Sequence, residues 1–281
     1  MSAPASPLTA LLFTPGSRLD RLPKAAASGA DGVIVDLEDS VAVADKDQVR
    51  AQVIAYFRQH GRIAADRPLA SAIRINNLRG AAGRGDLDAL NGAGLRPDFV
   101  MLPKVESAAE VLLAARKLPE SVRLICLIET VLGLRFVQEI AGASPRVAAL
   151  AFGGLDLSAE TGGEPGWDAL LWPRTALVHA CAAAGLLALD QPYIDFANAA
   201  GLEEECARTR PLGFTGKLAI HPAQVGVIRR AYQPTGEQVA RARKIVAAHD
   251  AAGGNVATVD GQMIDVPLYR SAQRVLQRAG P

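Results

Sequence analysis

The chain has 281 residues, 49% apolar and 21% charged, which excludes a disordered polymer and is long enough for a full hydrophobic core. Thirty Lys and Arg against 29 Asp and Glu leave a net charge of +1, so the clustered basic excess of a nucleic-acid footprint is missing. Aromatics are only 5%, which argues against stacking platforms for bases or sugars and leaves Ala, Leu, Val and Ile to build the core.

The opening Ser-Ala-Pro-Ala-Ser-Pro reads as a frayed terminus. It has neither the basic region nor the apolar length of a signal peptide, and no run approaches the ~18 apolar residues of a membrane span. A cytoplasmic protein with no membrane partner is expected. Short apolar runs then alternate with helical patterns. Leu8–Phe13 precedes a helix over Leu19–Ser28, and Gly32–Asp36 precedes one over Asp45–Arg58. Ala70–Ile75 and Phe99–Leu102 follow, then a helix over Ala108–Lys117 with Ser107 and Glu110 as a capping box. Arg123–Ile128 leads to a helix over Leu134–Ala141, and Val147–Phe152, Leu186–Asp190 and Lys217–Ile220 complete the runs. The ends of these eight runs lie 23 to 39 residues apart, the length of a strand-plus-helix unit. Continuous apolar strands between helices indicate a helix-covered parallel sheet. Eight of them predict an α/β fold, a (β/α)8 TIM barrel over residues 1–232, with a doubly wound open sheet as the alternative.

Beyond the eighth run come a helix over Pro222–Tyr232 and a break at Gln233-Pro234-Thr235-Gly236. A helix over Glu237–Ala251 follows, started by Thr235 or Gly236 and ended by Gly253-Gly254. An extended stretch and a last helix close the chain. Residues 233–281 therefore read as a C-terminal helical extension or lid that packs on the barrel or on a neighbouring subunit. Cys126, Cys181 and Cys206 fit no metal motif or disulfide framework, and Cys126 reads as an inert core thiol.

A barrel of this kind carries its site at the carboxyl ends of its strands. Polar residues converge there. Glu129 and Asp156 follow adjacent strands and suit a hard cation such as Mg2+, although each could instead cap the helix that follows. Asp36, Glu38 and Asp39 form a tight acidic triplet that needs a metal, its water or basic partners, unless it is a plain acidic loop tip. Arg74 is the one charge inside its strand. It suits a substrate carboxylate, or an ion pair with Asp36, Glu38 or Asp39. Gly16, Gly153 and Gly154 allow close backbone approach, and His221 reads as a structural histidine. Gln191 and Lys104 also stand at strand ends. Arg18, Arg21 and Lys24, near the first strand end, are either cations for a phosphorylated ligand or solvated surface charges.

The segments LLFTPGSR, DGVIVDLEDSV, IRIN, VMLPKVES, LIET, FGGLDLSAETG, GKLAIHPAQV and GQMIDVP resemble the HpcH/HpaI aldolase/citrate lyase family, most of all its citrate lyase β-subunit-like branch. The resemblance runs from about Leu11 to about Arg278. It implies a TIM barrel, a homotrimer or hexamer, and Mg2+ held by Glu129 and Asp156. It further implies that Arg74 binds the carboxylate of an α-keto acid, that Glu38 and Asp39 lie beside the metal waters, and that Asp265 of a neighbouring subunit serves as acid or base at the acyl carbon. Many members read Gly-Ala-Glu-Asp after the sixth strand. This chain reads Gly-Gly-Leu-Asp there and keeps the Asp.

The expected activity is reversible carbon–carbon cleavage of a 3-hydroxyacyl-CoA thioester to an acyl-CoA and an α-keto acid. Arg74 and Asp265 would act with Glu38, Asp39 or hydroxide as base. Coenzyme A phosphates would find Arg18, Arg21, Lys24 and Lys104. The alternatives are a Mg2+-dependent class II pyruvate aldolase that uses no thioester, or a β subunit of a multi-subunit lyase acting on an acyl-carrier-protein thioester.

Overall fold

The computed structural model describes residues 8–279, so the opening segment expected to be frayed lies outside the described residues. Eight parallel strands form a closed barrel in sequence order. They are β1 (Ala10–Pro15), β2 (Gly32–Asp36), β3 (Ala70–Arg74), β4 (Phe99–Leu102), β5 (Arg123–Ile128), β6 (Val147–Phe152), β7 (Leu187–Asp190) and β8 (Gly216–Ala219). The ring closes where β1 pairs with β8, Leu11 opposite Leu218. The helices between are α1 (Leu22–Ala26), α2 (Lys46–His60), α3 (Ala81–Gly92), α4 (Ala108–Lys117), α5 (Val131–Arg135), α6 (Val137–Gly142), α7 (Gly154–Thr161), α8 (Trp167–Ala184) and α9 (Ala199–Leu212), with α10 (Pro222–Tyr232) after β8. The barrel is the predicted fold, and the open sheet is excluded by the closure.

The boundary shifts have local causes. The Asp31 carboxylate accepts the N–H groups of Thr9 and Ala10 at 3.1 and 2.9 Å, so β1 starts later than predicted. Leu186 still donates to Cys181 O at the end of α8, which delays β7 by one residue. The helix predicted over Leu134–Ala141 is two helices, broken at Phe136 with φ −103° and ψ 18°. The first begins early because the Thr130 hydroxyl caps it, accepting from Gly133 N at 3.0 Å. The helix predicted over Leu19–Ser28 opens as a 3-10 turn, Leu19–Arg21. The capping box predicted at Ser107 is not made. Glu110 accepts instead from Glu106 N at 3.2 Å and from Arg79 at 3.2 Å.

Alternate residues of each strand face inward, as the two-residue period of a strand requires. Ile34, Ala72, Met101, Ile125, Leu127, Ala149, Ala151, Leu189 and Leu218 pack as the barrel core. The same alternation, carried one step further, sets Phe13, Asp36, Arg74, Glu129, Gly153 and Gln191 around the mouth, where all six line one cavity.

Between the barrel and α8 and α9 lies a second group of buried charges. Asp190 accepts from Arg174 Nε at 3.0 Å and from the Lys217 ammonium, which also donates to Glu205 at 2.6 Å. The Arg174 guanidinium lies 5.2 Å from the ring centres of both Phe152 and Trp167. Burial alone would push the Asp190 carboxyl up, but the charges of Lys217 and Arg174 outweigh it and hold it below the usual range. Burial alone would pull the Lys217 ammonium down, and Asp190 and Glu205 raise it above its usual value.

Compact packing divides the chain into one unit ending at Ala231 and another beginning at Tyr232. The second holds α11 (Gly236–Ala251), a hairpin of β9 (Ala257–Val259) and β10 (Gln262–Ile264), and α12 (Val266–Ala279). Thr235 and Gln238 form a capping box at the start of α11. Asp260 and Gly261 both take left-handed φ, 51° and 79°, the Asp-Gly turn that suits a two-residue hairpin. Ala242, Ile245, Ile264 and Ala272 are its core.

The Asp190 group gives a stability prediction. Asp190→Asn leaves the buried Lys217 and Arg174 with Glu205 as their one remaining counter-charge and should cost about 3–5 kcal/mol. The Asp190 contribution is complete above its unfolded value of about 3.9 and is lost as pH falls through its lower folded value. The Lys217 contribution is complete below about 10.4 and is lost as pH rises through its higher folded value. Urea denaturation of wild type and Asp190→Asn across pH should show their difference shrinking at the acid end. A difference that stays constant into strong acid contradicts this account.

Candidate functional site

The mouth of the barrel is organised by a pair fixed by register. Asp36 and Arg74 stand opposite each other on β2 and β3, so their side chains share the inward face. The guanidinium donates to both carboxylate oxygens, Nε to Oδ1 at 2.7 Å and Nη2 to Oδ2 at 2.8 Å. Its remaining nitrogen, Nη1, lies 3.0 Å from Glu38 and 3.5 Å from Asp39, and the group sits 4.7 Å above the Phe13 ring. Of the two readings of Arg74, the ion pair is therefore made, with the guanidinium still lining the cavity.

The loop after β2 folds back on Asp36, whose carboxylate accepts from Glu38 N at 2.9 Å and Ser40 N at 3.2 Å. Lys46 clamps the loop from α2, donating to Leu37 O at 3.0 Å and Glu38 O at 2.7 Å. Asn76 donates to Leu37 O at 2.9 Å. Gly16 N donates to Asp36 O at 2.8 Å, and a Cβ there would stand 2.7 Å from that oxygen, so only glycine permits the approach. The acidic triplet is thus a held structure, with Asp36 and Glu38 buried and Asp39 exposed at its edge.

On the far side of this loop stands Lys104, with φ at +50°, a left-handed conformation unusual for a side-chain-bearing residue. Its N–H donates to Glu129 Oε1 at 2.9 Å. Its ammonium donates to Glu38 Oε1 at 2.7 Å and lies 3.2 Å from Asp156 and 3.6 Å from Asp39. Glu129 is buried and Asp156 is half exposed. A Cβ on Gly153 would meet the Glu129 Oε2 at 2.6 Å, so the missing side chain makes room for that carboxyl.

Five carboxylates, Asp36, Glu38, Asp39, Glu129 and Asp156, thus face two cations, Arg74 and Lys104. The consequences follow the burial. The Arg74 bonds overcome burial and keep Asp36 below the usual carboxylate range. Glu38 is pushed up by burial, despite Arg74 and Lys104. Glu129 is pushed well up, by burial first and by the Glu38 charge second. Burial opposes the charge of Arg74 and Lys104, but the carboxylates bonded to each raise both. Glu38 Oε2 is buried with no aligned hydrogen bond, despite its short approach to Arg74. A carboxylate-rich pocket short of positive charge, with an all-oxygen donor set at Glu129 and Asp156, fits a hard divalent cation.

The cavity is about 460 Å³, and Leu127, Phe152, Leu155, Ile194, Leu218 and Ile220 give it apolar walls. Gln191 lines it from β7, and its Oε1 accepts from Gly154 N at 2.7 Å. His221 is structural as expected: its Nδ1 accepts from Ala223 N at 3.2 Å, and its ring stacks on Phe196 at 4.7 Å. All three cysteines are buried, with thiols pushed up to about 12 by burial, so they are inert.

Other sequence-derived candidates fall elsewhere. Arg18 forks onto Asp20 at 2.9 and 2.8 Å and is exposed. Arg21 and Lys24 are exposed on the 3-10 turn and on α1. Lys104, expected at the rim, is instead inside the acidic cluster, where Glu38 and Asp156 hold its ammonium. Asp265 belongs to the second unit, where its carboxylate accepts from Leu268 N at 3.2 Å and caps α12. The residues that sequence reasoning leaves without a role are Phe13, Lys46, Asn76 and Gln191. Phe13 and Gln191 carry a usable signal, since each lies two positions beyond an inward core residue.

A TIM barrel with a carboxylate-rich, half-apolar cavity at the carboxyl ends of its strands defines an enzyme that gathers a hard cation and an oxygen-rich substrate. The chain belongs to the HpcH/HpaI aldolase/citrate lyase family, which residues 9–222 match, and residues 176–280 match the C-C bond lyases of the TIM-barrel fold. An L-malyl-CoA/β-methylmalyl-CoA lyase of Cereibacter sphaeroides is 36% identical over 98% of this chain and 96% of its own length. A citrate lyase subunit beta-like protein of Mycobacterium tuberculosis is 39% identical over 96% of this chain and 94% of its own. The crystal structure of CitE from Mycobacterium tuberculosis with magnesium, acetoacetate and coenzyme A is 35% identical, covers 98% of this chain and 99% of that one, and superposes with a TM-score of 0.82.

The raised Glu129 carboxyl makes a direct prediction. Burial raises the Glu129 carboxyl, so its charge opposes folding, and the amide of Glu129→Gln removes that charge while keeping an acceptor for Lys104 N–H. Glu129→Gln should therefore unfold no earlier than wild type in chelator at neutral pH. A drop of more than about 1 kcal/mol, the scale of one neutral hydrogen bond, would contradict this account.

Proposed function

We propose that the protein is a Mg2+-dependent carbon–carbon lyase that reversibly cleaves a 3-hydroxyacyl-CoA thioester into an acyl-CoA, such as acetyl-CoA, and an α-keto acid. The observation that carries this reading is the excess of carboxylates over cations at the mouth of a family-typed barrel. Its relatives include a malyl-CoA lyase and a structure holding magnesium and coenzyme A.

Glu129 and Asp156 would hold the metal. When bound, Mg2+ supplies Lewis-acid polarisation of the hydroxy-acid end of the substrate. Arg74, fixed by its fork onto Asp36, faces the substrate carboxylate and balances its charge as the keto acid forms. Glu38 or Asp39 takes the hydroxyl proton, and burial raises the Glu38 carboxyl, which favours its holding that proton. The hydroxyl oxygen becomes the keto oxygen, and the bond from its carbon to the acyl α-carbon breaks. The electron pair passes to the thioester as an enolate. Asp265 of a neighbouring copy returns a proton to that α-carbon. In condensation the same carboxylate takes the proton away.

This assignment gives the region from 233 to 281 its role as an extension or lid over a neighbour's barrel, in a homotrimer or its doubled hexamer. Arg18, Arg21 and Lys24 are offered as contacts for coenzyme A phosphates. Among the described residues no helix is long and apolar enough to cross a membrane, in keeping with a cytoplasmic enzyme.

Calorimetric titration of the Mg2+-loaded protein with acetyl-CoA, alone and with oxaloacetate, glyoxylate or pyruvate, tests the reading. Saturable acetyl-CoA binding strengthened by one of these acids supports it, and binding of the acid with no response to acetyl-CoA overturns it. Asp265→Ala should abolish turnover yet bind Mg2+ like wild type, and activity within about tenfold of wild type removes Asp265 from the mechanism. Refolding an equal mixture of Asp265→Ala and Glu129→Gln, each inactive alone, should restore about a quarter of wild-type activity if the aspartate comes from a neighbouring copy.

A further inference from the structure

We infer that Gln191 is a substrate-binding residue, whose side-chain amide donates a hydrogen bond to the thioester carbonyl oxygen and to the enolate oxygen it becomes. The inference rests on the lyase reading above. It begins from the orientation of one amide. Gln191 is 8% exposed, lines the cavity, and accepts the N–H of Gly154 through Oε1 at 2.7 Å. A backbone N–H needs an acceptor, so the amide oxygen is turned to Gly154 and the NH2 away from it. The reverse assignment would set two donors face to face. Among the described residues Nε2 has no protein partner, in a side chain otherwise enclosed at the cavity wall.

The frame around this amide is stiff. The preceding residue, Asp190, is locked by Arg174 and Lys217. Two residues on, Tyr193 O accepts from Gln224 Nε2 at 2.6 Å, while Gln224 Oε1 accepts from Ile220 N at 2.9 Å and His221 N at 3.1 Å. The ends of β7 and β8 are thus tied together, and the amide is held from both sides. A donor fixed before the ligand arrives loses little freedom on binding it.

Position and elimination name the acceptor. In the ring of eight strands β7 lies across from β3, so Gln191 and Arg74 face each other over the cavity. The substrate carboxylate goes to Arg74 and the metal site, and its hydroxyl to the base. The oxygen left is that of the thioester carbonyl. Around Gln191 the wall is Pro192, Ile194, Leu218 and Ile220, where one neutral donor suits a neutral carbonyl. Cleavage puts the electron pair of the broken bond onto that oxygen, so a hydrogen bond there strengthens toward the transition state.

Two variants separate this role from support of α7, the helix that carries Asp156. Gln191→Glu keeps an acceptor for Gly154 N–H and loses the amide donor, and Gln191→Met loses both. Steady-state cleavage, Mg2+ affinity and thermal midpoint are measured for each. Both variants should lose at least about tenfold in kcat, with the KM for the thioester changed less, and Gln191→Glu should bind Mg2+ at least as well as wild type. In deuterium oxide with Mg2+ and a keto acid, both should also exchange the acetyl-CoA methyl protons more slowly than wild type. Retention of kcat within about twofold in Gln191→Glu overturns the inference. So does a loss confined to Gln191→Met that follows weakened Mg2+ binding. A wild-type protein that neither binds nor cleaves acyl-CoA overturns the lyase reading instead, and is told apart because no variant is needed to see it.

Discussion

The bidentate pair between Arg74 and Asp36 sets the geometry of the whole barrel mouth. Register places the two side chains on one face of neighbouring strands, and the fork onto Asp36 fixes the guanidinium plane. Asp36 then has oxygen capacity left for the N–H groups of Glu38 and Ser40, which pulls the following loop down over the cavity. Glu38 and Asp39 arrive beside Arg74 through this pull, and Lys46 pins the loop from outside. One ion pair therefore acts as a hinge pin for three acidic side chains.

Two clusters of buried charge have opposite outcomes. Behind β7 and β8, Asp190, Glu205, Arg174 and Lys217 are matched in charge, and all but the buried Arg174 Nη2, 3.7 Å from Glu205, find a bond within the group. Such a group fixes strand ends and has little left to offer a ligand. At the mouth the carboxylates outnumber the cations, and the shortfall appears as a Glu129 carboxyl pushed toward its uncharged form and a Glu38 oxygen without an aligned donor. An unmatched cluster of this kind stores a preference for positive charge, which is the physical basis for placing a divalent cation there.

The eight strands can be read from the sequence because each is largely buried on both faces and so appears as a mostly apolar run. The boundaries yield where a side chain intervenes, as Asp31 does at β1 and Thr130 at α5. The acidic ends and Arg74 are visible because charge stands out against apolar strands. Lys104 could not be placed, since its left-handed backbone turns the side chain into the cluster and no local pattern announces that turn. Gln191 stands in plain view beside Asp190, yet its bond to Gly154 at the start of α7 is one that sequence spacing does not reveal. Ser107 and Glu110 show the converse. The pattern of a capping box was present, but Arg79 and Glu106 claimed the carboxylate.

Closure of the ring between β1 and β8 also bears on how the chain reaches its native state. Arg229 Nη1 donates to Gly29 O at 2.8 Å across 200 positions of sequence, and Ala10 pairs with Lys217. The first strand made on the ribosome must wait for the last of the barrel before its outer edge is covered. Contacts of such long range carry a large loop-closure cost and slow folding. During that interval β1 presents an apolar, unpaired edge, the surface on which a nascent chain is most open to mispairing with a second copy.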